Sequence, residues 1–161
     1  MEWRQIEDFP EYSVSDFGLV RNDITDRVIT LTRNTVGIIQ VGMMKEGTQH
    51  KRGVALLVAK TFLDPPPFLT FNTPINLDGD RSNNSVENLM WRPRWFALKY
   101  HRQFHTDARG FNRPVIDLET GEKFKTSWDA AIKYGLIDSE ILIATLNNTY
   151  VWPTYQRFQT I

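Results

Sequence analysis

The chain of 161 residues contains no cysteine. That excludes a disulfide scaffold, a thiolate zinc site and a cysteine nucleophile. It has no excess of either charge: 19 Lys and Arg stand against 19 Asp and Glu. A net charge of zero gives no general pull toward nucleic acid or an anionic surface. No apolar run approaches the ~18 residues of a membrane span. The opening Met-Glu-Trp-Arg-Gln has neither a basic n-region nor an apolar h-region, so no signal peptide is expected. Histidine is scarce, with only His50, His101 and His105. What remains is a chain that is 41% hydrophobic, enough for a core, and an expected cytoplasmic location.

The zero is an average over unequal parts. Residues 1–50 carry 5 basic and 8 acidic side chains, residues 51–110 carry 9 and 5, and residues 111–161 carry 5 and 6. In the middle part Arg92, Arg94, Lys99, Arg102 and Arg109 face a single acid, Asp107, and are interleaved with Trp91, Trp95, Phe96, Tyr100 and Phe104. Cations set among aromatics suit a surface that meets phosphates and bases. The same pattern suits an amphipathic helix with aromatics inward and charges in water.

Local patterns predict an α+β chain. Residues 12–21 read as strand, turn at Asp16–Gly18, strand; residues 26–44 are rich in Val, Ile and Thr and continue in β-structure. Residues 53–63 suit a buried helix ended by Pro65-Pro66-Pro67. Residues 68–91 read as a strand, a long polar loop and a second short element, and residues 94–105 as a helix. After a linker at 110–113 come a hairpin with a Thr120-Gly121 turn, a helix over 127–134, a break at Gly135, a helix over 139–146 and a closing strand at 155–159. Three modules are expected: a mostly β part at 1–50, a central part at 51–109, and a hairpin with two helices at 110–161.

The most specific signal is Leu57-Val58-Ala59-Lys60-Thr61-Phe62-Leu63 followed by Ile75-Asn76-Leu77-Asp78-Gly79 and, further on, Asn83-Asn84, Asn88-Leu89 and Trp91. It resembles the HNH domain of phage and intron-encoded homing endonucleases. Trp3 to Arg21 looks like the small module that often precedes such nucleases. Residues 114–159 resemble their C-terminal helix-turn-helix repeat. The implied fold is a set of small modules around a ββα-metal core with a C-terminal hairpin plus helix-turn-helix. In the family pattern a histidine before "xDG" is the general base, a carboxylate or carboxamide just before it binds metal, an asparagine orients the histidine, and a second ligand opens the next helix.

Carried onto this chain, the general-base position is Asn76, the ligand positions are Ile75 and Ala97, and Asn88 alone keeps its residue type. A carboxamide takes no proton near neutral pH. Ile and Ala offer Mg²⁺ no oxygen. A one-residue slip brings Asn76 to the ligand position but still supplies no histidine, and only a rescue by His101 or His105 would restore one. The resemblance therefore implies a catalytically degenerate, non-cleaving protein of phage or mobile-element origin that binds double-stranded DNA without a cofactor. Arg92, Arg94, Lys99, Arg102 and Arg109 are the phosphate candidates. In the last helix, Ser139 is expected to cap, Ile141, Leu142 and Leu146 to face inward, and Glu140, Ile143, Thr145 and Asn147 to face outward, with Ser139, Thr145 and Asn147 toward DNA. Two alternatives stand beside it: a phage effector that binds a host protein, and an active nicking endonuclease that needs Mg²⁺. No membrane partner is expected.

Overall fold

The computed structural model describes residues 1–107 and 109–161. Contacts divide them into two compact units, Met1–Ala97 and Leu98–Ile161, where the sequence reading has three modules. The N-terminal β-rich part and the helix that follows it share one core, which the local patterns do not reveal.

Unit one begins with an antiparallel meander of β1 (Trp3–Ile6), β2 (Phe9–Ser15), β3 (Val20–Asn22) and β4 (Arg27–Val28). The β2–β3 connection is the expected turn at Asp16–Gly18. Ser15 organises it by accepting the N–H groups of Phe17 and Leu19 on its hydroxyl. A second antiparallel sheet follows, of β5 (Thr32–Arg33), β6 (Ile39–Lys45) and β7 (Thr48–Gly53). Alternation on β6 buries Val41 and Met43. Helix α1 (Val54–Phe62) buries Val54, Leu57 and Val58, the i, i+3, i+4 spacing of one apolar face. It stops at Leu63, and Pro65 to Pro67 cannot supply the N–H groups that would continue it. These residues pack with Ile6, Phe9, Tyr12, Val14, Val20 and Leu89 into a single core.

The hairpin of β8 (Thr73–Asn76) and β9 (Leu89–Arg92) closes unit one, with register Ile75 to Met90 and Asn76 to Leu89. The polar stretch between them is the long loop expected from its Asn, Asp and Gly content. Helix α2 (Arg94–Arg102) opens behind Pro93, whose carbonyl accepts the N–H of Ala97 at 2.9 Å. A short 3₁₀ turn, Gln103–His105, extends it.

Unit two has a three-stranded antiparallel sheet in the order β11-β10-β12, from β10 (Val115–Asp117), β11 (Lys123–Phe124) and β12 (Phe158–Thr160). Helix α3 (Ser127–Tyr134) is capped by Thr126, whose hydroxyl accepts the N–H of Asp129, and it ends at Gly135. Helix α4 (Asp138–Asn147) lacks a side-chain cap. Ile137 holds the cap position, and Ser139 lies exposed inside the first turn, so the expected Ser139 cap is replaced. The apolar face of α4 also differs from expectation. Ile141 and Ala144 are buried, whereas Leu146 is 70% exposed. Leu146 is two residues beyond Ala144, which at 3.6 residues per turn puts it on the opposite side of the helix, in solvent. The second core gathers Val115, Phe124, Ala130, Ala131, Leu136, Ile141, Val151 and Phe158.

Candidate functional site

The loop between β8 and β9 is a polar knot built on carboxamides. Asn76, at the end of β8, is 3% exposed and donates its amide to the Asn83 carbonyl at 2.9 Å and to Asn84 Oδ1 at 2.8 Å. Asn88 closes the loop from the other strand. Its Oδ1 accepts the N–H of Asp78 at 3.1 Å, and its Nδ2 donates to Asp78 Oδ1 and to the Asn83 carbonyl, each at 2.9 Å. Gly79 turns the chain at φ +79°, where a Cβ is strained, and its N–H reaches the Asn76 carbonyl at 2.9 Å. The Ser82 hydroxyl and N–H hold the Asp80 carboxyl below the ordinary carboxylate range. Asp78 and Asp80 thus set two carboxyl groups around the loop, where no Lys or Arg among the described residues bonds either of them.

The β2–β3 turn seats against this loop. Val86 donates its N–H to the Asp16 carbonyl at 2.9 Å. Gly18, at φ +85°, leaves so little room that a Cβ there would lie 3.1 Å from the Asn84 Cβ. Beside the contact is a cleft of about 580 Å³ that reaches Asn83 and Asn88. Its charged rim is Glu2, Asp16 and Glu87 against Arg4, and Arg4 is paired to Glu2 at 2.7 Å. An electronegative cleft suits no phosphodiester.

A NUMOD4 motif matches residues 1–43. Two HNH endonucleases of Acanthamoeba polyphaga mimivirus align with the chain. One is 34% identical over 153 residues, covering 86% of this chain and 36% of that protein. The other is 29% identical over 90 residues, covering 56% of this chain and 26% of that protein. The structure reported under "DNA binding and cleavage by the HNH homing endonuclease I-HmuI" superposes with a TM-score of 0.57 at 20% identity, over all of this chain and 98% of that one. The chain is thus similar in sequence to HNH endonucleases over most of its length and shares the fold of that homing endonuclease. It spans only about a third or less of the two viral relatives' lengths.

The four positions to which the sequence resemblance assigns chemistry lie as follows. Ile75 is fully buried, and Ala97, in the first turn of α2, is 4% exposed. Asn76 is committed to the loop through its amide. Asn88 holds the same loop. Of these four, the alkyl side chain of Ile75 and the methyl group of Ala97 have no oxygen to give a metal ion. Among the described residues, no group of three or more His, Cys, Asp or Glu is placed to hold a metal ion. His50 lies on β7 with its ring edge-on to Phe9 at 5.7 Å, His101 packs edge-on to Tyr100, and His105 is exposed in the 3₁₀ turn.

The basic candidates divide sharply. Arg92 is 6% exposed, donates to the Trp91 carbonyl at 2.8 Å and lies over the Phe96 ring at 5.7 Å. It is a packing residue of β9, and its place among the phosphate candidates is withdrawn. Arg109 sits 4.0 Å over the Trp128 ring and donates to the carbonyls of Gln103 and Thr106, which fixes the linker after α2. Arg94, Lys99 and Arg102 are exposed. Lys99 lies 3.8 Å from Glu140, a solvated pair of little strength.

In unit two, Thr145 is half-buried and donates its hydroxyl to the Ile141 carbonyl at 2.7 Å, while Asn147 is exposed. Lys133 is held by both Glu122 oxygens at 2.6 Å. Two features escaped the sequence reading. Asp138 is buried and accepts the Ser127 hydroxyl at 2.5 Å and the Gly110 N–H at 2.6 Å. Asp117 is buried in the hairpin. Burial is the largest influence on it and pushes its carboxyl up. Hydrogen bonds from Glu119, Gln156 and Thr120 outweigh burial and leave it below the ordinary range. An Asp three residues before Thr-Gly was the available signal for that turn. No helix among the described residues is long and apolar enough to cross a membrane.

Proposed function

We propose that this chain is an HNH homing-endonuclease-like protein that binds duplex DNA and does not cleave it. The reading is carried by Asn76: at the position the resemblance gives to the general base, a buried carboxamide ties the loop together, with aliphatic Ile75 beside it in sequence and Ala97 in the first turn of α2. Nothing in that set takes a proton from water near neutral pH, and neither Ile75 nor Ala97 gives oxygen to a metal. DNA contact is assigned to the exposed cations of α2, Arg94, Lys99 and Arg102. Three phosphate contacts give a slope of log K against log salt no steeper than about −3, a modest binder at physiological ionic strength. Asn147, at the exposed end of α4, is the candidate for base reading.

Two assays test this together. A salt series of gel shifts measures the slope, and supercoiled plasmid with Mg²⁺ or Mn²⁺ measures nicking. Salt-sensitive binding without nicking supports the proposal. Metal-dependent nicking that tracks with the purified chain and is lost on changing His101 or His105 overturns the non-cleaving half. A protein-binding effector is the second reading. One observation favours it: α4 turns Ile143 and Leu146 to solvent and carries no Lys or Arg. A chain with no salt-sensitive DNA affinity falls to that reading.

A further inference from the structure

On helix α2 the exposed positions are Arg94, Trp95, Leu98, Lys99 and Arg102, and the buried ones are Phe96, Ala97 and Tyr100. At 3.6 residues per turn the five exposed positions fall on one side of the helix. Trp95 is 54% exposed and Leu98 52% exposed, although burial of large apolar side chains is the main favourable term in folding. Trp95 packs its edge against Phe96 at 5.8 Å, which fixes the indole at its base and leaves its outer part in water. From Arg94 to Arg102 the helix rises about 12 Å, roughly a third of a turn of duplex DNA. Three cations and two apolar side chains of one helix thus lie within the length of a few base steps.

That combination differs from a base-edge reader. Reading in a groove needs side chains that match donors and acceptors in pairs, and neither Trp95 nor Leu98 offers such a pair. Flat or branched apolar groups flanked by phosphate-binding cations are instead the composition that opens a base step and occupies the gap. We propose that Trp95, supported by Leu98, is a wedge that stacks into an opened base step, while Arg94, Lys99 and Arg102 hold the phosphates on either side. The preferred ligand is then a duplex that is kinked, or already weakened, at one step. The inference rests on the DNA-binding reading above and adds what kind of duplex is favoured.

The test uses the full chain and a short duplex with 2-aminopurine at its TA steps, which are the easiest to unstack. The fluorescence of 2-aminopurine rises when it leaves the stack. Brightening is expected with the wild type, little or none with Trp95→Ala, and an intermediate response with Trp95→Phe, which retains a ring. The salt slope is expected to be the same in all three, because the cations are untouched. A duplex with one central mismatch is expected to bind the wild type several-fold more tightly than its matched counterpart and to bind Trp95→Ala equally. Thermal melts of the three proteins establish that each is folded. Salt-dependent binding by the wild type without brightening, or equal brightening by Trp95→Ala, overturns the wedge and leaves the DNA-binding reading standing. No salt-dependent binding by the wild type overturns both.

Discussion

Replacing Asn88 by Ala removes three hydrogen bonds at once: one from the Asp78 N–H, one to Asp78 Oδ1 and one to the Asn83 carbonyl. The losses are unequal. The Asn83 carbonyl keeps a donor in Asn76, and Asp78 Oδ1 keeps the N–H of Asp80. Only the Asp78 N–H loses the partner described for it, and the position is half-buried, so water reaches part of the gap. Three bonds at about 1 kcal/mol each, less partial rehydration, come to roughly 2 kcal/mol. For a protein of this size that lowers the melting temperature by about 4–8 °C. Urea unfolding monitored by tryptophan fluorescence measures the difference, with a parallel test of whether the slope changes. Asn88→Asp sharpens the test. It keeps an acceptor for the Asp78 N–H but sets a second carboxylate against Asp78, so its deficit is expected to shrink as pH falls and one of the pair takes a proton. A change below about 0.5 kcal/mol for Asn88→Ala, the range of an ordinary surface substitution, refutes the role of Asn88 as the loop's anchor.

Gly18→Ala places a side chain at φ +85° and 3.1 Å from the Asn84 Cβ, and is expected to cost about 1–3 kcal/mol in a chemical melt. Arg92→Ala is expected to lower stability by about 2 kcal/mol through lost packing while leaving the DNA salt slope unchanged, whereas Arg94→Ala flattens that slope by about 0.9 with no change in melting. Asp117 has a folded pKa below its unfolded one, so its contribution is full above the unfolded value of about 3.9 and is lost as pH falls through the lower folded value. Acid titration by near-UV circular dichroism should show this loss in the wild type, and Asp117→Asn should lack it and be less stable at neutral pH.

Much of the architecture is visible in local patterns. Helix α1 announces itself through Leu57, Val58 and the prolines after it, the last hairpin through Thr120-Gly121, and the β8–β9 loop through its spaced asparagines. What local patterns do not carry is the partner each element finds. Arg92 reads as one more cation beside a tryptophan; only the register of β9 and the ring of Phe96 turn it inward. Ile141, Leu142 and Leu146 are equally apolar on paper, yet α4 buries Ile141 with Ala144 and leaves Leu146 in solvent. Ser139 is a good cap residue two positions too late, because Ile137 holds the cap and the helix already begins at Asp138, whose carboxylate bonds Ser127 and Gly110. In the candidate site, residue types could be read directly, and the burial of Ile75 and Ala97 follows their chemistry. That Asn76 has a structural task of its own needed the positions of Asn83 and Asn84.

The link from Asn76 to Asn84, with Gly18 seated behind Asn84, makes position 76 a joint between two turns. An imidazole at position 76 has one N–H to give where the carboxamide gives two, and it is bulkier in a site that is 3% exposed. A histidine there would therefore loosen the Asn83–Asn84 loop and the β2–β3 turn resting on it. A change made at this position for the sake of chemistry is felt first in the frame that has to hold it.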